Sequence, residues 1–281
     1  MVAIFERRTA ASAGWSRRIA SFSAVLFILA GVGHRYHLID TFPFLWLLGL
    51  VAMLALSALL LAAVAFTRVW GAGDQGAGDL IRGALVAALV LAPFLLSGYR
   101  IIAHPFLTDI STDLDNPPAL IMAMQHRDSH MNAVEAATPE QRSLQRRHYP
   151  LLTGRRFALP AEDVLAAVLT LAEDRGWRIL GPRGDLASSG ETTVEAVAFS
   201  FVFRFPVDVA VRVLDEGEAT YVDMRSASRY GRHDLGDNAA RIEGFLQELE
   251  ERLTAAETVV PDTSPALPEA APAVPDTPPA E

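Results

Sequence analysis

The sequence predicts an α+β protein on a membrane anchor: three N-terminal transmembrane helices, then a soluble domain with a four-stranded antiparallel sheet and two helices packed on one face. Three observations carry this reading. Long uncharged runs fill the first hundred residues, apolar residues alternate along 192–228, and two stretches with apolar residues three and four apart flank those strands.

The 281 residues fall into three charge regimes. Residues 1–103 hold eight Arg and four acids, residues 104–253 sixteen Arg and twenty-four acids, and residues 254–281 five acids and no base. The formal net charge is −9 and the only basic excess lies among apolar runs, so no nucleic-acid partner is expected. There is no cysteine, which excludes disulfides, thiolate metal sites and cysteine nucleophiles. All 24 basic residues are Arg, which removes lysine Schiff-base chemistry and a Walker lysine.

Phe42 to Phe66 is twenty-five residues without a charge. As a helix it is about 37 Å long, against a hydrocarbon core of about 30 Å. Gly83 to Tyr99 adds seventeen uncharged residues between Arg82 and Arg100, whose side chains can snorkel outward, with Pro93 as the expected kink. Ile19 to Gly33 is shorter, fifteen residues behind Arg17 and Arg18, a length and flank shared with signal-peptide cores. Two further spans follow it closely, so it reads as an uncleaved first span. The predicted spans are residues 19–34, 42–66 and 83–101. Arg7, Arg8, Arg17 and Arg18 precede the first span and Arg68 and Arg82 lie in the second loop, against Arg35 alone in the first loop. By the positive-inside rule the N-terminus is cytoplasmic. Three crossings then carry the rest to the far side, the periplasm for an anchor in a bacterial inner membrane. No span has an ionisable residue in its middle, which favours a plain anchor over a transport pathway.

Residues 104–253 suffice for one core. His104 to Pro118 reads as extended, because Pro105, Pro117 and Pro118 disfavour helix before them. Thr138-Pro139-Glu140-Gln141 opens a helix that runs to Arg147 or His148 and stops at Pro150. Pro160 to Arg175 is a clear helix, with acids in its first turn, Gly176 closing it, and Val164, Leu165, Val168, Leu171 and Ala172 on one face. Trp177–Leu180 and Thr192–Ser200 read as strands.

Every odd position from Val197 to Val213 is Val or Phe. One strand of that length would span about 56 Å, so the run must break, at Arg204-Phe205-Pro206. Val207–Leu214 and Ala219–Ser228 then pair across a tight turn at Glu216-Gly217. That register sets Val207 opposite Ser226 and Asp208 opposite Arg225, with Arg212 diagonal to Asp223. Asp208, Arg212 and Asp223 thus form a charge ladder, read as a solvated face. The last helix runs from Asp237 or Asn238 to Leu253 on a stripe of Ile242, Phe245, Leu246, Leu249 and Leu253. Residues 254–281, with seven Pro and no aromatic residue, are expected to form a disordered tail.

Asp223 to Arg241 leaves a strand, passes Gly231 and Gly236, and enters a helix N-terminus, where free N–H groups and the dipole suit an anion. The candidate ligand-binding residues are Arg225, Ser226, Ser228, Arg229, Arg232, Asp234, Asn238 and Arg241. The competing reading is a structural turn in which Asp234 or Asp237 caps the helix and Arg229 pairs with Asp234. His126 and His130 are four apart, but Arg127 stands where an HExxH zinc site needs Glu. Asp109, Asp113 and Asp115 lack the glycine and late Glu of a calcium loop. No metal, no cofactor and no catalytic residue is predicted, and no nucleophile elbow, P-loop or dinucleotide fingerprint occurs.

Val222-Asp223-Met224-Arg225-Ser226-Ala227-Ser228-Arg229, continuing through Gly231, Asp234-Leu235-Gly236, Asn238 and Arg241-Ile242, resembles the bacterial and plastid family numbered 1499 among domains of unknown function. Asp109-Ile110-Ser111-Thr112-Asp113, Pro117-Pro118, Tyr149-Pro150, Gly176-Trp177, Glu195-Ala196 and Phe205 to Arg212 are similar to its other segments, over about residues 105–250. Val207 departs from the pattern, which has an acid or polar residue before Asp208. The resemblance implies a fold and a location behind a signal or membrane anchor, and no activity. The expectation is a non-enzymatic envelope protein whose periplasmic module binds an anionic small molecule, a lipid headgroup or another envelope protein, beside the lipid bilayer that holds its anchor. The alternatives are an envelope hydrolase or other enzyme using Asp208, Asp223 or His233, and a scaffold for a membrane protein complex.

Overall fold

The computed structural model describes residues 8–200 and 203–259. Three long helices come first, α1 (Ala11–Arg35), α2 (Thr41–Ala72) and α3 (Ala77–Ala103), each long and apolar enough to cross a membrane. They extend the three predicted spans at both ends, and α3 runs through Pro93. Small residues line their contacts: Ala20, Ala55, Ala58 and Ala87 are fully buried, and Ser16 Oγ donates to the Ala58 carbonyl at 2.9 Å. Leu56, Leu60 and Leu89 point outward and are exposed. Exposed aromatic rings mark the two ends, Trp15 and Trp70 at one and Tyr36, Trp46 and Tyr99 at the other, as interfacial belts do.

Then come β1 (Asp109–Ser111), α4 (Ile121–Gln125), α5 (Pro139–His148), β2 (Arg155–Phe157), α6 (Ala161–Asp174), β3 (Arg178–Asp185), α7 (Leu186–Ser189), β4 (Glu191–Phe199), β5 (Pro206–Asp215), β6 (Thr220–Ser228) and α8 (Asp237–Val259). The strands form one antiparallel sheet in the order β1-β6-β5-β4-β3, with β2 also paired to β6. The sheet therefore has six strands among the described residues, not the predicted four, and more than two helices accompany it. The added strands β1 and β2 are three residues each, too short to show alternation, and α4 and α7 span five and four residues. The strand predicted to end at Leu180 continues as β3 through Gly181-Pro182, with an irregularity between Ile179 and Gly181; β3 is at the sheet edge, where a proline is tolerated.

The α5 start is as predicted: Thr138 Oγ1 accepts the Gln141 N–H at 3.2 Å and Gln141 Oε1 accepts the Thr138 N–H at 2.8 Å. Helices α6 and α8 pack together on one sheet face, where Val168, Leu171, Phe245 and Leu249 meet Val209, Val211, Val222 and Met224. Helix α8 runs on to Val259, so residues 254–259 of the predicted tail are helical, and residues 260–281 lie outside the described residues.

The β5–β6 register differs from the prediction by two residues. Val207 faces Ser228, Asp208 faces Ala227, and Arg212 lies directly across from Asp223. The reason is a longer turn: Glu216 N–H donates to the Ala219 carbonyl at 2.9 Å, and Gly217, at φ 88°, donates to the Asp215 carboxylate at 2.8 Å. A slip of two is one pleat period, so every side chain keeps its predicted face. The outer face, however, is covered. Residues 104–137 cross it, with Leu120, Ala123 and Val134 packed on Ala210 and Ala227.

The β4–β5 connection, where the odd-position run was expected to break, turns back against the long helices. The Phe203 ring packs edge-on to Phe27 at 5.7 Å and tilted on Phe44 at 5.4 Å, and Phe205 lies 5.7 Å from Phe44. Gly31 makes the room, since a Cβ there would lie 3.3 Å from the Phe203 ring. His34 Nδ1 donates to the Phe203 carbonyl at 2.6 Å, while its Nε2 meets Thr41 Oγ1 at 2.9 Å. A carbonyl only accepts, so this contact puts the proton on Nδ1.

Candidate functional site

Alternation along β6 decides which of the predicted residues meet. Val222, Met224, Ser226 and Ser228 face the helices, whereas Asp223, Arg225 and Ala227 face the covering segment. One strand cannot bring both sets to one ligand.

On the outer face Asp208, Arg212, Asp223, Arg225 and Arg229 each have a partner inside the chain. Asp208, fully buried, accepts from Arg127 Nε at 2.7 Å and from Arg229 Nε and Nη2 at 2.9 and 2.6 Å. Arg212 holds Asp223 through two bonds of 2.9 and 2.6 Å and reaches Asp113 at 3.3 Å. Arg225 holds Asp109 at 2.7 Å and donates to the Glu135 carbonyl at 3.2 Å. The Asp208–Arg212–Asp223 ladder is therefore a buried network, not a solvated face, because residues 104–137 supply its roof and half its partners. Asp109, Asp113 and Asp115, the last paired with Arg146, each take a different arginine. Helix α4 stops at Gln125, so His126 and His130 share no helix face. Among the described residues no group of His, Asp and Glu gathers in metal-binding geometry.

On the helix face a second set converges at the start of α8. Asp234 caps it, accepting the N–H of Gly236 and of Asn238, both at 3.0 Å. Burial is the main cause of its raised pKa. The Asn238 side chain accepts from Ser226 Oγ at 2.8 Å and donates to Ser228 Oγ at 3.0 Å and to the Thr108 carbonyl at 2.9 Å. Arg241 joins through Nη1 alone, to Ser226 Oγ at 3.2 Å and Asn238 Oδ1 at 3.0 Å. It forms no salt bridge among the described residues, and burial lowers its pKa. Arg241 lines a cleft of about 230 Å³ whose other walls include Leu45 of α2, Pro206 and Val207 of β5, and Ser228. Leu235, at φ 58°, holds a left-handed conformation on the cleft wall. A leucine adopts that only where its surroundings hold it, and strain of this kind collects at functional sites.

A family model described as a protein of unknown function (DUF1499) matches residues 109–249. The chain belongs to this family. No curated protein matches it. The DUF1499 span opens at β1 and closes within α8, so the three long helices lie outside it, and Leu45 brings an anchor residue to a cleft otherwise built from this domain.

Of the eight candidate DUF1499 residues, Ser226, Ser228, Asp234, Asn238 and Arg241 meet. Arg225 and Arg229 turn to the outer face and are tied there, and Arg229 pairs with Asp208, not with Asp234. Arg232 is exposed in a separate cleft, without a hydrogen bond among the described residues. His233 Nε2 donates to the His104 carbonyl at 3.2 Å and Nδ1 accepts the Leu235 N–H at 2.8 Å, so both ring nitrogens are engaged. The missed contributors are Leu45, Pro206 and Val207, which carried no chemical signal. Glu195 was missed too, although a lone charge in an apolar strand is such a signal, and so was Arg127, which sits between His126 and Asp128 and gave none.

Tyr149, whose hydroxyl lies 3.5 Å from His104 Nδ1, has its pKa pushed up to about 12 by burial and by nearby Asp234. The folded state thus holds the phenol proton more tightly than the unfolded chain. That contribution is complete below the free value of about 10 and is lost as pH rises through the folded value. Unfolding midpoints should fall between pH 10 and about 12, less steeply in Tyr149→Phe, as thermal melts across that range will show.

Proposed function

We propose that this DUF1499 protein is a membrane-anchored binding module of the bacterial inner membrane, its N-terminus cytoplasmic and its domain periplasmic, which takes an anionic group on Arg241. The observation that carries the reading is a partly buried guanidinium at the wall of a cleft, with no salt bridge among the described residues. Buried cations are ordinarily paired, and Arg225, Arg229 and Arg212 of the same domain all are. Arg241 spends only Nη1 on the chain, so its remaining donors suit a bidentate carboxylate or phosphate. The Arg distribution of the flanks supports the orientation.

Arg241→Gln should weaken binding of a soluble anionic probe such as glycerol phosphate by about tenfold or more, the worth of a charge-assisted hydrogen bond. Arg232→Gln should change it little. Calorimetric titration of the full chain in detergent measures both. Equal affinity of wild type and Arg241→Gln would remove the basis of the reading.

A further inference from the structure

We infer that the anion is the headgroup of a membrane lipid, entering sideways from the leaflet that faces the domain; this rests on the reading of Arg241 above. Depth is the first argument. Leu45 lies four residues into α2 from Thr41, so about 6 Å from the helix end, within a headgroup layer about 5–7 Å thick. The second is how the domain is held. Phe203 touches Phe27, eight residues before the end of α1 and thus about 12 Å along its axis. The domain is wedged into the helices at the interface, and its cleft cannot ride above the bilayer as a tethered module's would. Irregular backbone at that depth needs its polar groups satisfied by protein, and His34 does this for the Phe203 carbonyl.

The cleft's chemistry divides in the same sense. Leu45, Phe205, Pro206 and Val207 give it an apolar side against α2, and Arg241 and Ser228 a polar one. Ser228 Oγ already accepts from Asn238, which leaves its proton for a ligand. The two acids at the cleft are occupied: Asp237 pairs with Arg100 of α3 at 2.9 Å, and Asp234 caps α8. At about 230 Å³ the space falls below the ordinary range for a whole small-molecule ligand. It fits one end of an amphiphile whose chains stay in the bilayer.

The test uses the full chain in lipid nanodiscs of phosphatidylcholine alone or mixed with phosphatidylglycerol. Lipid retained after extraction is counted by native mass spectrometry, and glycerol phosphate is titrated separately in detergent. Wild type should retain phosphatidylglycerol over phosphatidylcholine about tenfold. Arg241→Gln should lose that preference and also glycerol phosphate binding. Phe203→Ala, which removes the ring that docks the domain on Phe27 and Phe44 and lies outside the cleft, should lose the lipid preference and keep glycerol phosphate binding, so it decides the matter if Arg241→Gln fails to fold. Glycerol phosphate binding without any phosphatidylglycerol preference would overturn the lipid inference and leave the anion reading standing. A lipid preference unaltered by Phe203→Ala would overturn the lateral route. Absence of both forms of binding would overturn the inference and the reading together.

Discussion

Asp208→Ala is expected to cost about 3–5 kcal/mol, as removal of one partner from a buried ion pair does. The carboxylate is fully buried between Arg127 and Arg229, both nearly buried themselves. Without it two nearly buried guanidiniums face each other with no counter-charge between them. Arg127 also carries the covering segment, donating to the Asn132 and Ala227 carbonyls at 2.6 and 3.2 Å, so the roof over the sheet should loosen too. Asp208→Asn keeps the shape and part of the bonding and should lose less. Guanidinium unfolding followed by fluorescence reports this, since Trp177 stacks on Phe245 in the core at 4.9 Å. A loss of about 0.5 kcal/mol, the worth of an exposed pair, would mean the network is solvated after all.

Glu195→Ala should be comparably costly, at about 3 kcal/mol or more. Glu195 is fully buried in β4 and has no cation partner among the described residues; its carboxylate accepts the Ile121 and Met122 N–H groups at 3.0 Å and the Ala123 N–H at 2.9 Å. These are free donors of the first turn of α4, and an unsatisfied buried donor costs about 1–3 kcal/mol. Glu195→Gln retains an acceptor and should fall between. Hydrogen exchange at residues 121–123 separates this from a general loss of stability: in Glu195→Ala those amides should exchange far faster than the β5 amides. Uniform acceleration would contradict the clamp.

Much of this architecture is legible in the residues, and the reason is periodicity. The three apolar runs, the α6 and α8 stripes and the β5–β6 alternation all repeat often enough to fix element and face. Short elements do not: Asp109–Ser111 and Arg155–Phe157 are strands only because β6 offers them an edge. The outer-face charges read as solvated because Asp208, Arg212 and Asp223 in isolation look like any surface ladder. Their partners come from residues 109, 113 and 127, distant in sequence and without a pattern of their own. The helix-entry residues were legible as a group since capping and glycine signals sit side by side. The alternation already put Arg225 on the face opposite Ser226; what was illegible is that residues 104–137 cover that face and that Arg225 and Arg229 are tied there.

The central claim is that the domain is docked onto its membrane helices through the β4–β5 turn, which sets the Arg241 cleft at the bilayer surface. The chain has no cysteine, so pairs of single cysteines can be introduced without background. Cysteines at Gly31 and Phe203, treated with a short thiol cross-linker in native membranes, should join in high yield, while the pair Gly31 and Arg232 should not. Equal, low yields for the two pairs would show a domain that hangs free of its anchor and would contradict the account.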